Sequence, residues 1–135
     1  MAYKIDEIEG IGPVKKESLA KAGITTTDDL LKACCAKDGR VSTAVTTGLS
    51  EADLLKFTNM ADLMRVKGVG EEYSELLEVA GVDTVKELAT RRADNLTAKM
   101  AEVNETKKLV RTLPVEKVVQ SWIDHAKTLD PLVTH

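Results

Sequence analysis

Runs in which β-branched and polar residues alternate are scarce in this sequence, and aromatic residues make up only 3% of it. A β-barrel or β-sandwich is therefore excluded. Long hydrophobic runs are missing too. No apolar stretch approaches the roughly 20 residues that a membrane span needs, and the opening Met1-Ala2-Tyr3-Lys4-Ile5-Asp6-Glu7 lacks the hydrophobic segment of a secretory signal. The expectation is a cytoplasmic protein with no membrane partner. Charge of one sign is absent as well: 19 Lys and Arg stand against 22 Asp and Glu, a formal net charge of −3. That balance lacks the basic signature of a general nucleic-acid binder, so any such binding must be local. Cysteine is confined to Cys34 and Cys35. In a helical pattern their side chains diverge by about 100° and cannot form an ordinary disulfide. Two sulfurs make no zinc site, so both are expected to be reduced, partly buried, small apolar residues.

What the chain does have is 43% hydrophobic and 30% charged residues, with Lys, Glu, Ala and Leu recurring at three- and four-residue spacing. That periodicity predicts an all-α protein. With 135 residues, the length allows one domain or two very small ones.

An internal repeat organises the sequence. Ile8-Glu9-Gly10-Ile11-Gly12 is matched by Val66-Lys67-Gly68-Val69-Gly70 at an offset of 58 residues. At the same offset Leu19 meets Leu77, Ala22-Gly23-Ile24 meets Ala80-Gly81-Val82, Thr26 meets Thr84 and Leu30 meets Leu88. Further on the copies drift by six or seven residues. Each nevertheless ends in an amphipathic helix, Ser50 to Arg65 in the first and Pro114 to Leu129 in the second. Leu54, Phe57, Ala61 and Met64 share a face of one. Val115, Val118, Val119, Trp122, Ile123, Ala126 and Leu129 form a broader stripe on the other. Both are read as core faces, with Trp122 as an anchor between the copies. Shorter helices are predicted over Thr27 to Lys37, Arg40 to Thr46, Val85 to Arg92 and Asn95 to Val110. No Gly, Ser or Pro linker separates the copies at Asp62-Leu63-Met64-Arg65-Val66. The expected arrangement is a single domain, 1–135, built from two repeats of about 5–65 and 66–130 packed as one body.

The glycines define the start of each copy. Gly10 and Gly12 bracket Ile11 in a turn that can adopt positive φ and leaves the backbone uncovered. Pro13 then suits the first position of a helix running to Ala22, with Val14, Ser18, Leu19 and Ala22 on one side. Gly23 ends it and Ile24 folds back. Thr26 with Asp29, and Thr84 with Glu87, have the spacing of a capping box that starts the next helix.

These residues resemble the helix-hairpin-helix motif: a hydrophobic residue, one further residue, Gly-hydrophobic-Gly, then a helix with a small residue and a closing hydrophobic position. Both copies fit. The tandem spacing, the segments Leu54-Leu55-Lys56 and Asn59-Met60-Ala61-Asp62-Leu63, and the ending Trp122-Ile123 further resemble a bacterial family of doubled helix-hairpin-helix proteins catalogued as a domain of unknown function. The resemblance implies two such repeats in one compact helical domain. Through the related hairpins of DNA-repair polymerases, ligases and the carboxy-terminal domain of the RNA polymerase α subunit, it also implies a nucleic-acid role.

That role would fall to the residues of the first glycine turn. Backbone N–H groups of Gly10, Gly12 and the first turn after them, with the helix dipole, suit one phosphate. Lys15 and Lys16 stand in that turn to neutralise it, so Gly10, Ile11, Gly12, Lys15 and Lys16 form the candidate nucleic-acid site. In the second copy Glu71 and Glu72 hold the equivalent positions and occupy the potential a phosphate needs, so Gly68, Val69 and Gly70 are read as structural. Lys107, Lys108 and Arg111, like Arg91 and Arg92, lie among carboxylates and read as solvated faces. His125 and His135 have no partners at metal-ligand spacing, and no nucleophile–base pair, P-loop, paired-carboxylate constellation or metal cluster is present. No enzyme, cofactor or metal is expected. Two functions remain: a weak, sequence-independent binder of the DNA backbone acting through the first hairpin, or a module for protein–protein interaction or scaffolding.

Overall fold

The computed structural model describes residues 3–135 and is all-α, with eight α-helices among them. Extended pairing among the described residues is limited to an isolated bridge between Lys4 and Thr26. By their internal contacts the residues form two compact units. One runs up to Asp62 and includes Leu132–His135, and the other is Leu63–Pro131.

In the first unit a 3-10 turn, Ile5–Glu7, leads into the glycine turn and then α1, Pro13–Ala20. The chain closes α1 at Gly23 (φ 76°), where the Ile24 N–H donates back to the Leu19 carbonyl at 3.0 Å. α2, Thr27–Cys34, starts on a complete capping box: the Thr26 hydroxyl accepts the Asp29 N–H, and the Asp29 carboxylate accepts the Thr26 N–H, both at 3.1 Å. α3 is Lys37–Thr47 and packs on α2; α4 is Glu51–Leu63. The residues expected on one side of α1 do not share one environment. Leu19 is sealed, yet Val14 is 78% exposed, because five residues at 3.6 per turn place it about 140° round the helix from Leu19.

The second unit contains α5, Glu71–Val79; α6, Val85–Leu88; α7, Ala93–Lys107; and α8, Glu116–Ala126. α7 packs on α5 and α8, and α6 on α8. Leu76, Leu77, Val82, Leu88, Leu96 and Met100 are among its buried core. Burial of each such side chain contributes about 1.5–3 kcal/mol. On α8 the buried stripe is Val119, Trp122, Ile123 and Ala126, at i, i+3, i+4 and i+7. The wider stripe read from the sequence is corrected at its edges. Val115 is the N-cap, 64% exposed, and Val118 lies at the margin, 40% exposed.

The 58-residue register recurs in the backbone. Gly10 has φ 96° and Gly68 φ 94°. Ile11 N–H donates to Ile8 O at 3.1 Å and Val69 N–H to Val66 O at 3.0 Å. The Val82 N–H returns to Leu77 O at 2.9 Å, as Ile24 does to Leu19. The capping box is the exception. Thr84 accepts the Glu87 N–H at 3.5 Å, but the Glu87 carboxylate is taken by Arg91 Nε at 3.0 Å.

Aromatic residues floor both turns. A Cβ on Gly10 would lie 3.2 Å from the Phe57 ring, and one on Gly68 would lie 3.1 Å from Trp122 Nε1. Phe57 and Trp122 are 65 residues apart rather than 58, which is the drift that the sequence shows downstream. Trp122 thus does for the second turn what Phe57 does for the first. Within its own unit its ring lies 5.1 Å from that of Tyr73.

Candidate nucleic-acid interface

The first turn presents backbone outward. Gly12 is exposed, serves as N-cap of α1 without any side-chain cap, and has nothing within 4 Å of where a Cβ would stand. Ile11 is buried, so within this turn it contributes core packing and main chain only. Pro13 supplies no N–H, and the Lys16 N–H closes the first helical bond to Gly12 O at 2.9 Å. The N–H groups that begin a helix point away from it, toward the exposed end.

Lys15 and Lys16 reach this end but are not without partners. Lys16 Nζ is 3.3 Å from Asp6 Oδ2, and Lys15 Nζ is 3.8 Å from Asp53 Oδ2 and 5.3 Å from the centre of the Phe57 ring. The two carboxylates were not identified from sequence. Asp53 lies on α4, 38 residues from Lys15, and no local pattern announces such a pairing. Both pairs are well exposed, and exposed pairs of this kind contribute only about 0.2–1 kcal/mol.

The second turn is built alike and charged oppositely. Gly68 is exposed, Val69 is buried and Gly70 is the uncapped N-cap of α5, followed at once by exposed Glu71 and Glu72. A shallow depression there is lined by Gly68, Gly70, Glu71, Glu72 and Tyr73. The Lys67 N–H donates to His125 Nδ1 at 3.0 Å, a tie between the turn and α8 that gives this histidine a structural partner.

Arg91 and Arg92, read as a solvated face, prove more engaged. Arg91 Nη2 donates to Gly81 O at 2.9 Å and lies 3.0 Å from the Glu87 carboxylate, so it clamps the chain that leaves α5. Arg92 Nη2 meets Asp94 at 2.9 Å. The Asn95 N–H, followed by Arg92, holds the Asp94 carboxyl below its ordinary range. Cys34 is fully buried, Cys35 half-buried, and both are free thiols; burial pushes the Cys34 thiol up. Among the described residues no group of three His, Cys, Asp or Glu is placed to hold a metal, and no helix is long and apolar enough to cross a membrane.

Fold and turns together define an all-α protein in which a glycine-hinged turn, floored by an aromatic ring, occurs twice. The chain belongs to the family described as Domain of unknown function (DUF4332), whose profile matches residues 9–129. No curated protein and no solved structure matches it.

Proposed function

We propose that this protein is a non-enzymatic cytoplasmic binding module of tandem helix-hairpin-helix type, which grips the DNA backbone weakly and without reading sequence through its first hairpin. The observation that carries this reading is the open N-terminus of α1: Gly12 exposed, uncapped and uncrowded, with Lys15 and Lys16 on the turn that follows. A phosphate there gains backbone N–H donors and the positive end of the helix. To recruit the lysines it has only to displace two exposed ion pairs. The acidic second hairpin acts as a structural corner.

Protein–protein interaction without nucleic acid is the second reading. It is favoured by the pairing of both lysines with Asp53 and Asp6, and by the exposure of Val41 and Val45 on α3.

Fluorescence anisotropy with a labelled duplex at several salt concentrations separates the two. DNA binding requires a Kd of order 10⁻⁴ to 10⁻⁶ M that weakens steeply with salt. It also requires loss of binding in Lys15→Gln/Lys16→Gln. No binding by the parent at about 50 mM salt, where phosphate contacts are strong, transfers the function to a protein partner.

A further inference from the structure

We infer that the second unit carries a phosphodiester-binding surface of its own, on residues distinct from its glycine turn: the cationic depressions framed by Arg91, Arg92, Lys99 and Lys127. The inference shares its ligand with the function proposed above but not its site. Two depressions, of about 370 and 420 Å³, are both lined by Arg91 and Arg92. One adds Lys127 and the other Lys99. Together the two linings hold four cations against two carboxylates, Asp94 and Glu116, both in the first, on a chain whose net charge is −3. The depression at Gly68 and Gly70 has two glutamates and no cation in its lining. The glycine turn of this unit is therefore the wrong place for a phosphate, and the arginine ridge is the better one.

Local geometry favours phosphate at that ridge. Arg91 is pre-positioned by Gly81 O and Glu87, so little side-chain freedom is lost when its remaining N–H groups meet a ligand. Arg92 is bonded to Asp94 through Nη2, and its side chain is 74% exposed. A guanidinium has five donors, so Arg92 can keep its carboxylate and still donate to a phosphate oxygen. Lys99 lies 3.8 Å from Glu102, another exposed pair that a phosphate can displace. Asn95, in the first turn of α7, adds amide donors. Two depressions sharing one arginine ridge suit successive anions of a chain better than one small anion. No aromatic side chain lines either of them, so bases find no stacking platform and the contact is to the backbone.

The test measures anisotropy of a labelled duplex and of its single strand with the full chain, Arg92→Gln/Lys99→Gln, the charge-keeping Arg92→Lys/Lys99→Arg, and Lys15→Gln/Lys16→Gln, each checked for folding by thermal melting. Arg91 is left intact because of its structural bond to Gly81. The expected result is a Kd raised about tenfold in Arg92→Gln/Lys99→Gln and restored in Arg92→Lys/Lys99→Arg. The slope of log K against log salt should flatten by about 2, since each lost phosphate contact removes roughly 0.9. A backbone site binds both strand forms, and the stronger arm names the one preferred. Parental affinity in Arg92→Gln/Lys99→Gln overturns the inference, and if Lys15→Gln/Lys16→Gln then loses binding, the first-hairpin reading stands alone. The opposite pattern upholds the inference and removes the first hairpin from the site. Absence of binding by the parent overturns both.

Discussion

The buried guanidinium of Arg40 donates to the main-chain carbonyl of Thr134, 94 residues further along the chain, at 2.7 Å. The same side chain, 3% exposed, donates to Cys34 O at 2.9 Å and Cys35 O at 3.1 Å, where α2 ends. Thr134 returns its N–H to Cys35 O at 2.8 Å. One arginine thus satisfies the carbonyls at a helix end and holds the segment Leu132–His135 in the first unit. Arg40→Met should leave Cys34 O without this donor, while Cys35 O keeps the Thr134 N–H, and destabilise the protein by about 1–3 kcal/mol for a carbonyl left buried and unsatisfied. Urea unfolding measures the loss. A variant as stable as the parent contradicts this role.

The glycines of the first turn should separate stability from binding. Gly10 needs its positive φ and lies against Phe57, so Gly10→Ala should cost about 1–2 kcal/mol from backbone strain alone. Gly12 has φ −89° and open space around it. Gly12→Ala should leave stability nearly unchanged, the gain of about 0.4–1 kcal/mol from a stiffer unfolded chain being offset by the poorer N-cap preference of alanine. If the α1 N-terminus receives a phosphate, the same methyl weakens duplex binding in a protein that melts no earlier.

Burial raises the Cys34 thiol, so the folded state keeps that proton at a pH where the unfolded chain has released it. The stabilising contribution is whole below the ordinary thiol value and falls away as pH rises above it. Melting temperature should decline on the alkaline side, and Cys34→Ser should reduce that dependence. A thiol reagent should modify half-buried Cys35 before Cys34. Reducing agent should not change the melting temperature, since neither sulfur is in a disulfide.

The two capping threonines should differ. Thr26→Ala removes a reciprocal box and should cost about 1 kcal/mol. Thr84→Ala removes a longer bond and should lose less capping stability. The Thr25 N–H and hydroxyl, then Thr26, hold the Asp29 carboxyl below its ordinary value. Its contribution is therefore present above the unfolded carboxyl pKa, about 3.9, and is lost as pH falls through the lower folded value. Asp29→Asn should flatten the acid limb of the stability profile.

Gly39 has no counterpart among the turn glycines. A Cβ added there would overlap the Ala33 carbonyl oxygen, where α3 passes close to α2. Gly39→Ala should destabilise by about 1–3 kcal/mol through overpacking, despite the better helix propensity of alanine. Thermal melting of this single variant is the check.

The sequence by itself determined the helical class and the two turns, because both are encoded locally. A three- to four-residue spacing of apolar side chains selects helices, and Gly-hydrophobic-Gly before a helix start selects the turn, whatever the rest of the chain does. The Thr26 box and the return of Ile24 onto Leu19 were legible for the same reason. Helical phase alone does not place Val115 and Val118, whose burial depends on what lies opposite. From Phe57 to Met64 α4 and the residue after it are buried on every side. That includes Thr58, Asn59 and Asp62, although the sequence suggested a single apolar face; the near-absence of charge between Lys56 and Arg65 was the available signal. Only the tertiary structure decided that Lys15 meets Asp53, that Trp122 floors Gly68 and that Arg40 holds Thr134. Each joins residues 38 to 94 positions apart in the chain. Such pairings arise from the packing of helices against one another, and no local periodicity records which side chains that packing brings within reach.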